Sequence, residues 1–415
     1  MRLELAAYPV VDVNFGEKLA LEKERLVINR TELAQVINSE GFFTEVHIDI
    51  AKPGEKTRII HIMDAMQPRF KLTGGTSPYP GAIEAMHVAG TGRTHVLEGV
   101  CLMQTGMRQG IQEGIVDMSG PGAEYSLFSG LCNIILHCVP PRDADNALFD
   151  TVARRALVKA ACYLGEVTRN LTPAKLHAYE LNPDVDATLP GVVYICHLQA
   201  QGPLRDTFLY GESVRELVPT LLHPNELLDG AVVSGNYIIA CQKNPTYLHV
   251  NNPVVKECYA RHGKSLRFIG VVIANELNTL REKIRSAEFA VKLAKQAGAQ
   301  GIILTQEGGG HADTDLMLCA KAAAKQGMKC VMLINELAGP GGDQPSLVDA
   351  TPEAKYVIST GNNDQVLELP AMDRLLGGKT LCDIPDPAGS FMTSLGRMYT
   401  ATNQLGVYDL MAREQ

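Results

Sequence analysis

The sequence predicts an α/β protein in which a β-rich N-terminal part is followed by a doubly wound, mostly parallel, Rossmann-like sheet. Two observations carry this prediction: alternating strand patterns dominate the first 130 residues, and strands alternate with amphipathic helices after Lys264. We therefore divide the chain into a β-rich domain (1–130), a first α/β part (131–263) and a C-terminal α/β part (264–415).

Period-two patterns mark the first part. In "FFTEVHIDI", Val46, Ile48 and Ile50 share one face and polar side chains share the other, as in a half-buried strand. "KTRIIHI" and "THVLEGVCLM" follow the same pattern, and Gly/Pro-rich segments such as "LTGGTSPYPG" separate the strands. This texture predicts a unit built from short strands.

Strands and helices alternate in the second part. "ALFDTVARRALVKAACYLGE" predicts a helix, and "GVVYICHL" and "LRFIGVVIA" predict buried strands. "LNTLREKIRSAEFAVKLAKQAG" predicts a helix that Gly298 ends, with an apolar stripe. Its members are Leu280, Ile284, Ala287, Val291 and Ala294. Strand "GIILT", helix "DTDLMLCAKAAAKQG" and strands "KCVMLINE" and "AKYVIST" complete a sheet covered on both faces.

Composition excludes several classes of function. Lys and Arg number 38 against 46 acids, so no basic surface for nucleic acid or an anionic membrane is expected. The sequence has neither a membrane-length apolar run nor a signal-peptide pattern, and we expect a cytoplasmic protein. Ten cysteines without a C-x-x-C pair predict buried free thiols.

The segment "TQEGGGHADTDL" joins the carboxyl end of a predicted strand to a helix, where ligands bind in open α/β sheets. Its glycines let backbone N–H groups approach an anion. We expect its acids and histidine to bind a substrate or partner, and Glu307, His311 and Asp315 are candidate ligands for a divalent metal. The alternative is that Asp313 caps the helix and that Asp315 lies in its first turn, where the helix dipole favours a negative charge.

A second segment, "AGTGRTHVLEG", places Arg93 and His95 among glycines. A guanidinium fork and an imidazole donor suit recognition of a carboxylate. The alternative is a β-turn with a surface arginine and a packed histidine. The sequence contains no G-x-S-x-G motif, so a Ser–His–Asp hydrolase lacks its usual support.

Several segments along the whole chain together resemble one family. They are "AKPGEKTRIIHIMD", "GTGRTHVLEG", "QEGIVDMSGPGAEYSLFS", "LQAQGPLRDTFLYG", "PTLLHPNELLDGAVVSGN", "CQKNPTYLHVNNPV" and "QEGGGHADTDL". In this order they are similar to the proprotein subunit of component B of glycine, sarcosine and betaine reductases. More distantly, they resemble the proprotein of D-proline reductase.

The resemblance implies a subunit of a complex that cleaves the C–N bond of a small amine or amide-type substrate reductively. It also implies a partner subunit that carries a cysteine or selenocysteine, and hence a hetero-oligomer. Family members cut themselves between an asparagine and a cysteine, and that cysteine becomes a pyruvoyl group. Site residues carried over from the matched segments are Arg93, His95, Asn236, Cys241, Gln306, Glu307, Asp313 and Asp315. His311 stands where the family more often has asparagine, which leaves a change of ligand open.

This chain departs from the family at the cleavage position, where Tyr237 follows Asn236. Pyruvoyl formation needs a heteroatom on Cβ that attacks the preceding carbonyl and later leaves. Tyrosine carries a ring carbon on Cβ, so we expect no self-cleavage, no pyruvoyl and no other cofactor in this chain apart from the open divalent metal. Cleavage before Cys241 is a less favoured alternative.

Three functions remain open. We favour a reductase-like subunit in which Tyr237, Asn236, Cys241, Glu307 and His311 are catalytic and Tyr237 donates a hydrogen bond to the substrate. The second is a hydrolase or C–N lyase, with or without a metal at Glu307, His311 and Asp315. The third is a non-catalytic scaffold for a catalytic partner.

Overall fold

The computed structural model describes residues 1–106, 113–201, 206–235 and 242–406. Short strands dominate the first 180 residues. They are β1 (Arg2–Pro9), β2 (Asp12–Phe15), β3 (Ala20–Glu22), β4 (Arg25–Ile28), β5 (Glu45–Ala51), β6 (Thr57–Ile59), β7 (Ile62–Met66), β8 (Arg69–Thr73), β9 (Gly92–Glu98), β10 (Val100–Thr105), β11 (Val116–Asp117), β12 (Cys132–Val139) and β13 (Lys175–Glu180). The helices of this part are α1 (Arg30–Ile37) and α2 (Asn146–Gly165).

Longer strands and helices follow. The strands are β14 (Gly191–Gln199), β15 (Phe208–Leu209), β16 (Glu212–Ser213), β17 (Thr220–Leu222), β18 (Val232–Val233), β19 (Arg267–Glu276), β20 (Gly301–Thr305), β21 (Lys329–Glu336), β22 (Val357–Asn362), β23 (Val366–Leu369), β24 (Arg374–Leu376) and β25 (Phe391–Ser394). The helices are α3 (Pro224–Leu228), α4 (Thr246–Val250), α5 (Pro253–Arg261), α6 (Leu280–Gln296) and α7 (Asp313–Lys325). Single 3-10 turns lie at Pro121–Tyr125, Leu127–Gly130, Glu166–Thr168, Val214–Glu216, Gly310–Ala312 and Leu395–Arg397.

Two four-stranded sheets form the β-rich part, with strand orders β13-β1-β9-β8 and β5-β12-β10-β7. Helix α2 packs against strands of both sheets, and its apolar residues share one core with them. The helix begins where the Asp145 carboxylate accepts from the backbone N–H groups of Ala147 and Leu148. The predicted strand around Val46 is β5, where Ile48 and Ile50 are buried. The prediction of a β-rich first part is thus confirmed.

The largest sheet has the order β17-β19-β14-β20-β21-β22, and only β17 is antiparallel to its neighbour. Numbered by chain position, its parallel strands run 2-1-3-4-5, which is one of the two common orders of doubly wound sheets. It differs from the order 3-2-1-4-5-6 of dinucleotide-binding folds. The mixed α/β class is confirmed, and the order places a crevice between the carboxyl ends of β14 and β20.

The two faces of this sheet bury alternate side chains of β14. Val193 and Ile195 pack with α6 and α7, whereas Tyr194, Cys196 and Leu198 pack with α5 and with β1 of the first part. Both faces are therefore buried from solvent, which explains why the strands appear in the sequence as continuous apolar runs. The first part serves as one of the two covering layers.

Helix α6 begins with a capping box between Thr279 and Glu282, and Gly298 follows it at φ +90, as predicted. The predicted apolar stripe is only half right. Ala287, Val291 and Ala294 are buried, but Leu280 and Ile284 are 60% and 43% exposed. The buried face of α6 includes Lys283, which pairs with a buried carboxylate on α7. Leu280 and Ile284 lie outside that face and are therefore exposed.

The end of the chain returns to the first part. Strand β24 pairs with β6, and the buried Arg58 side chain donates to Asp117 and to the Pro387 carbonyl. Residues 399–405 are buried as well. The three predicted domain ranges stay a prediction. Within the described ranges, the helices are too short or too polar to cross a membrane.

Candidate functional site

The crevice between β14 and β20 contains a buried glutamate held by its neighbours. Glu307 lies two residues beyond β20, and its Oε2 accepts from the Gln199 backbone N–H (2.7 Å) and from Thr207 Oγ1 (2.6 Å). Its own backbone N–H donates to Oε1 of Glu276 at the end of β19 (2.9 Å). The carboxyl ends of three adjacent strands therefore meet at Glu307.

Two further side chains adjoin this glutamate. Nε2 of the buried His249 on α4 lies 3.5 Å from Glu307 Oε1. Burial raises the pKa of Glu276 well above its usual range, and the nearby Asp315 acts in the same direction. In the orientation that satisfies both groups, the Gln199 amide donates to Glu276 Oε2 (3.0 Å). Both effects favour the protonated form of Glu276, next to an acid that accepts two hydrogen bonds.

Asp315 lies in the first turn of α7 and pairs with Lys283 from α6. Gln201 connects this pair to the loop, because its Nε2 lies 3.4 Å from Asp315 Oδ2 and its Oε1 lies 3.2 Å from His311 Nδ1. Burial raises the pKa of Asp315 to about 7, although Lys283 opposes the shift. Burial also lowers the pKa of His311. The predicted residues Asp315 and His311 are thus joined through one amide.

Gln306 and Asp313 form a second buried pair in the same loop. Gln306 Nε2 donates to Asp313 Oδ1 (2.8 Å), and the Val348 backbone N–H donates to Asp313 Oδ2 (3.1 Å). Burial raises the pKa of Asp313. The expected helix cap is not formed by Asp313: it is the first residue of α7, and the capping position is taken by Ala312.

The glycine loop lies beside the flanks of segment 236–241. The Gly308 backbone N–H donates to the Gln242 carbonyl (3.2 Å), and Asn244 Nδ2 lies 3.5 Å from the Gln306 carbonyl. On the other flank, the Ser234 backbone N–H donates to Thr246 Oγ1 (2.9 Å). Two segments that are far apart in sequence therefore share one site. The predicted catalytic residues Asn236, Tyr237 and Cys241 lie outside the described residues.

A C-terminal segment closes the site from another side. Asn403 Nδ2 donates to the Lys243 carbonyl (2.6 Å) and to Asn244 Oδ1 (2.7 Å). Gln404 Nε2 donates to the Gly308 carbonyl and to Asn335 Oδ1 (3.0 Å) at the end of β21. Asn403 and Gln404 are therefore part of the site, although most of its residues lie between positions 199 and 350.

Arg93 and His95 have other partners. Arg93 forms an ion pair with Glu4 on the adjacent strand (2.6 Å), and His95 Nδ1 lies 3.0 Å from Thr168 Oγ1. The His95 ring also packs against Tyr8, and burial lowers its pKa. The packed histidine of the alternative is therefore seen, but the two residues lie within strand β9 and not in a β-turn. The structure does not bring the two residues into contact with the glycine loop.

The three candidate metal ligands are engaged separately. Glu307 accepts from Gln199 and Thr207, Asp315 pairs with Lys283, and His311 contacts Gln201. In the part of the chain that the structure describes, no group of three or more His, Cys, Asp or Glu side chains is placed to hold a metal ion.

Sequence reasoning missed several members of the site. Glu276 lies two residues beyond the predicted strand "LRFIGVVIA", and Asn335 lies near the end of "KCVMLINE", so the strand-end rule that pointed to Glu307 also applies to them. Lys283 was missed because a lysine in an amphipathic helix is expected on the exposed face. Gln242 and His249 lie in the family segment "CQKNPTYLHVNNPV" but were not singled out, and Gln404 lies outside the quoted segments, since a single amide or imidazole predicts nothing by itself.

Eight buried side-chain atoms at this site form no hydrogen bond. They belong to Gln242, His249, Gln306, Asp315, Asn335 and Gln404, and other such atoms lie elsewhere in the described residues, for example in Ser126 and Tyr399. Native proteins leave few buried polar groups unpaired, and such groups call for an explanation. A doubly wound sheet with unpaired polar atoms at its strand-order reversal is typical of a protein that binds a small molecule.

Within that class, comparison with known proteins identifies the family. The chain belongs to the glycine/sarcosine/betaine reductase component B subunits, whose family model matches residues 1–408. It is 39% identical to "Glycine reductase complex component B subunits alpha and beta" of Peptoclostridium acidaminophilum, with all of both chains covered. Identity to the protein of the same name from Acetoanaerobium sticklandii is 38%, over 95% of this chain and 93% of the relative.

A third relative has another name in the same family. The chain is 37% identical to "Sarcosine reductase complex component B subunit alpha" of Peptoclostridium acidaminophilum, over 91% of this chain and 89% of the relative. No solved structure matches the chain. The resemblance drawn from the sequence segments is therefore confirmed at the level of the family.

Proposed function

We propose that this chain is the substrate-binding subunit of a reductase complex of the component B type, acting at the C–N bond of a small amine or amide. One observation supports the assignment of the site. The buried Glu307 lies at the strand-order reversal, and the loop that carries it bonds to Gln242, which directly follows segment 236–241. The family resemblance puts the reaction at that segment, so acid and reaction centre belong to one site.

In this proposal, Glu307 accepts and returns a proton. Its Oε2 is held by Gln199 and Thr207, which leaves Oε1 directed at His249 (3.5 Å). An acid fixed in this way loses little freedom when it exchanges a proton with a substrate nitrogen. Neither the Glu307 side chain nor the His249 side chain is exposed to water. Both groups can therefore act without competition from solvent.

The pyruvoyl group of the family does not fit this chain. It forms from a residue whose Cβ carries a leaving heteroatom, and Tyr237 carries a ring instead. We therefore propose that the chain stays uncut and that the Tyr237 hydroxyl donates a hydrogen bond to the substrate. No chemical step is assigned to a carbonyl cofactor.

The redox group of the reaction is proposed to come from a partner subunit. Among the described cysteines, burial raises the pKa of nearly all thiols: Cys101, Cys132, Cys138, Cys162, Cys196, Cys258, Cys319 and Cys330. Thiols of this kind are poor nucleophiles, because the thiolate is the reactive form. A partner bearing a reactive cysteine or selenocysteine would complete the chemistry, in line with the complexes named for the relatives.

Intact-mass spectrometry with a carbonyl-reactive hydrazide tests this proposal. We expect the parent to give one chain of 44.9 kDa that does not react. Tyr237→Cys is expected to split into fragments 1–236 and 237–415, with hydrazide added to the second. Tyr237→Phe is the matched control and is expected to stay whole. Two fragments from the parent would show that the uncut assignment is wrong.

A further inference from the structure

Four buried side-chain amides surround the peptide between Gly308 and Gly309. We call Gln242, Gln306, Asn335 and Gln404 the carboxamide cluster; none is more than 2% exposed. Gln306 and Gln404 both donate to the Gly308 carbonyl, and Gln404 also donates to Asn335. The cluster has no charged member. Yet each of its four amides has at least one polar atom without a hydrogen bond.

The orientation of three of these amides follows from their partners. The Gly308 carbonyl accepts only, so the atoms that Gln306 and Gln404 direct at it are nitrogens, and their free atoms are both Oε1. The Gln404 nitrogen also donates to Asn335 Oδ1, so the free atom of Asn335 is its amide nitrogen. The cluster therefore presents two defined acceptors and one defined donor.

Gln242 adds a fourth, fully unpaired amide. Neither its Oε1 nor its Nε2 forms a hydrogen bond. It packs directly over Gly309, where a Cβ would lie 2.6 Å from Gln242 Nε2. Gly309 has an extended backbone with φ −151, so it is the close approach of this amide, and not backbone strain, that requires a glycine. The missing side chain at Gly309 thus leaves room for the unpaired Gln242 amide beside the glycine loop.

We propose that the carboxamide cluster is a binding site for a primary carboxamide group. The two N–H groups of such a carboxamide would donate to Oε1 of Gln306 and Oε1 of Gln404. Its carbonyl oxygen would accept from Nδ2 of Asn335 and Nε2 of Gln242. A carboxylate has no donor for those two oxygens and would be repelled by them. The inference rests on the proposed function in one respect: it assumes that the substrate is a small amine or amide. It then restricts that substrate class to primary amides.

The test measures binding to the full chain without any partner, by calorimetry or ligand-observed NMR. Glycinamide, N,N-dimethylglycinamide and glycine share one amine and differ only at the group that the cluster would bind. We expect glycinamide to bind at least about tenfold more tightly than the other two, because a site built for hydrogen bonds rejects analogues that leave its groups unpaired. Equal affinities, or no saturable binding of glycinamide, would overturn the proposal.

Matched variants separate binding from folding. Gln242→Met removes an amide that has no hydrogen bond, so it should lower glycinamide affinity about tenfold or more without lowering Tm. Gln104→Met is the control: this buried glutamine donates to the Ala153 carbonyl (2.9 Å), away from the cluster. It should lower Tm and leave the affinity unchanged. Unchanged glycinamide binding in Gln242→Met would refute the assignment.

The result is independent of whether the chain is cut. If mass spectrometry finds two fragments, the uncut assignment fails while selective binding of glycinamide still supports the cluster. If the chain is whole and binds the three compounds alike, the carboxamide inference alone fails.

Discussion

Thr246 donates to both carboxylate oxygens of Asp64, from its backbone N–H to Oδ1 (3.0 Å) and from its hydroxyl to Oδ2 (2.7 Å). The same hydroxyl accepts the Ser234 backbone N–H (2.9 Å). Asp64 lies on β7 of the first part, so one threonine fastens both flanks of segment 236–241 to another region of the chain. The positions of Ser234 and Thr246 therefore depend on contacts with β7.

Replacing this threonine should loosen both flanks. Thr246→Val keeps the shape but leaves the Ser234 N–H without its acceptor and Asp64 without one donor. We expect the free energy of unfolding to fall by about 2–4 kcal/mol, measured by urea denaturation. In the control, Thr151→Val at the exposed surface of α2, the change should stay within about 0.5 kcal/mol. Similar losses for both variants would contradict the role given to Thr246.

The ion pair of Lys283 and Asp315 is almost completely buried, so removing one partner should be costly. We expect Lys283→Met to lower the free energy of unfolding by about 3–5 kcal/mol, because Asp315 remains without its cation. The double variant Lys283→Met/Asp315→Leu should recover most of the loss. Arg261→Met, which breaks an exposed pair with Glu257, should cost less than about 1 kcal/mol.

The protonation of Glu276 should appear in the pH dependence of stability. Its pKa is raised by folding, so above pH 4.5 the native state keeps a proton that the unfolded chain loses, and stability falls as pH rises. Glu276→Gln abolishes this contribution. Between pH 5 and 7, its free energy of unfolding should fall less steeply than the parent's, by up to about 1.4 kcal/mol per pH unit.

Urea titrations at several pH values measure that slope. Asp315 acts in the same direction up to about pH 7 and is present in both proteins, so the difference between them reports Glu276 together with its effect on Asp315. Glu288→Gln, an exposed position on α6, is the control and should follow the parent. Parallel curves for Glu276→Gln and the parent would show that Glu276 is ionised in the folded protein.

Glu307→Gln tests the proposed proton transfer. The amide keeps an oxygen for Gln199 and Thr207 but cannot exchange a proton. We expect release of the substrate's nitrogen product, in the presence of the partner subunit, to slow by about 10²–10⁴-fold. Substrate affinity and Tm should change little. Glu288→Gln should match the parent rate, and full activity of Glu307→Gln would exclude this acid as the proton carrier.

Much of the large sheet was predictable because each of its central strands is buried on both faces. Strands such as Gly191–Gln199 and Gly301–Thr305 then read as apolar runs, and the helices between them show their own period. The glycine loop was found by its place at a strand end. Strand order was not predictable, since periodicity reveals which faces are buried but not which strand lies beside which.

The candidate site was predictable mainly in the loop that follows a strand, where Gln306 and His311 were also named. Glu307, Asp313 and Asp315 were found in this way, whereas Lys283 was missed because its burial depends on a partner 32 residues away. For the same reason Leu280 and Ile284 were wrongly assigned to the buried face of their helix. Neutral amides such as Gln242 and Gln404 gain meaning only when distant segments meet, and no local pattern records that meeting.

Asn403 and Gln404 contribute to the site from the far end of the chain. These two residues follow all six strands of the large sheet along the chain. A chain that stopped before residue 403 would therefore keep every strand of that sheet but lose two side-chain donors at the crevice.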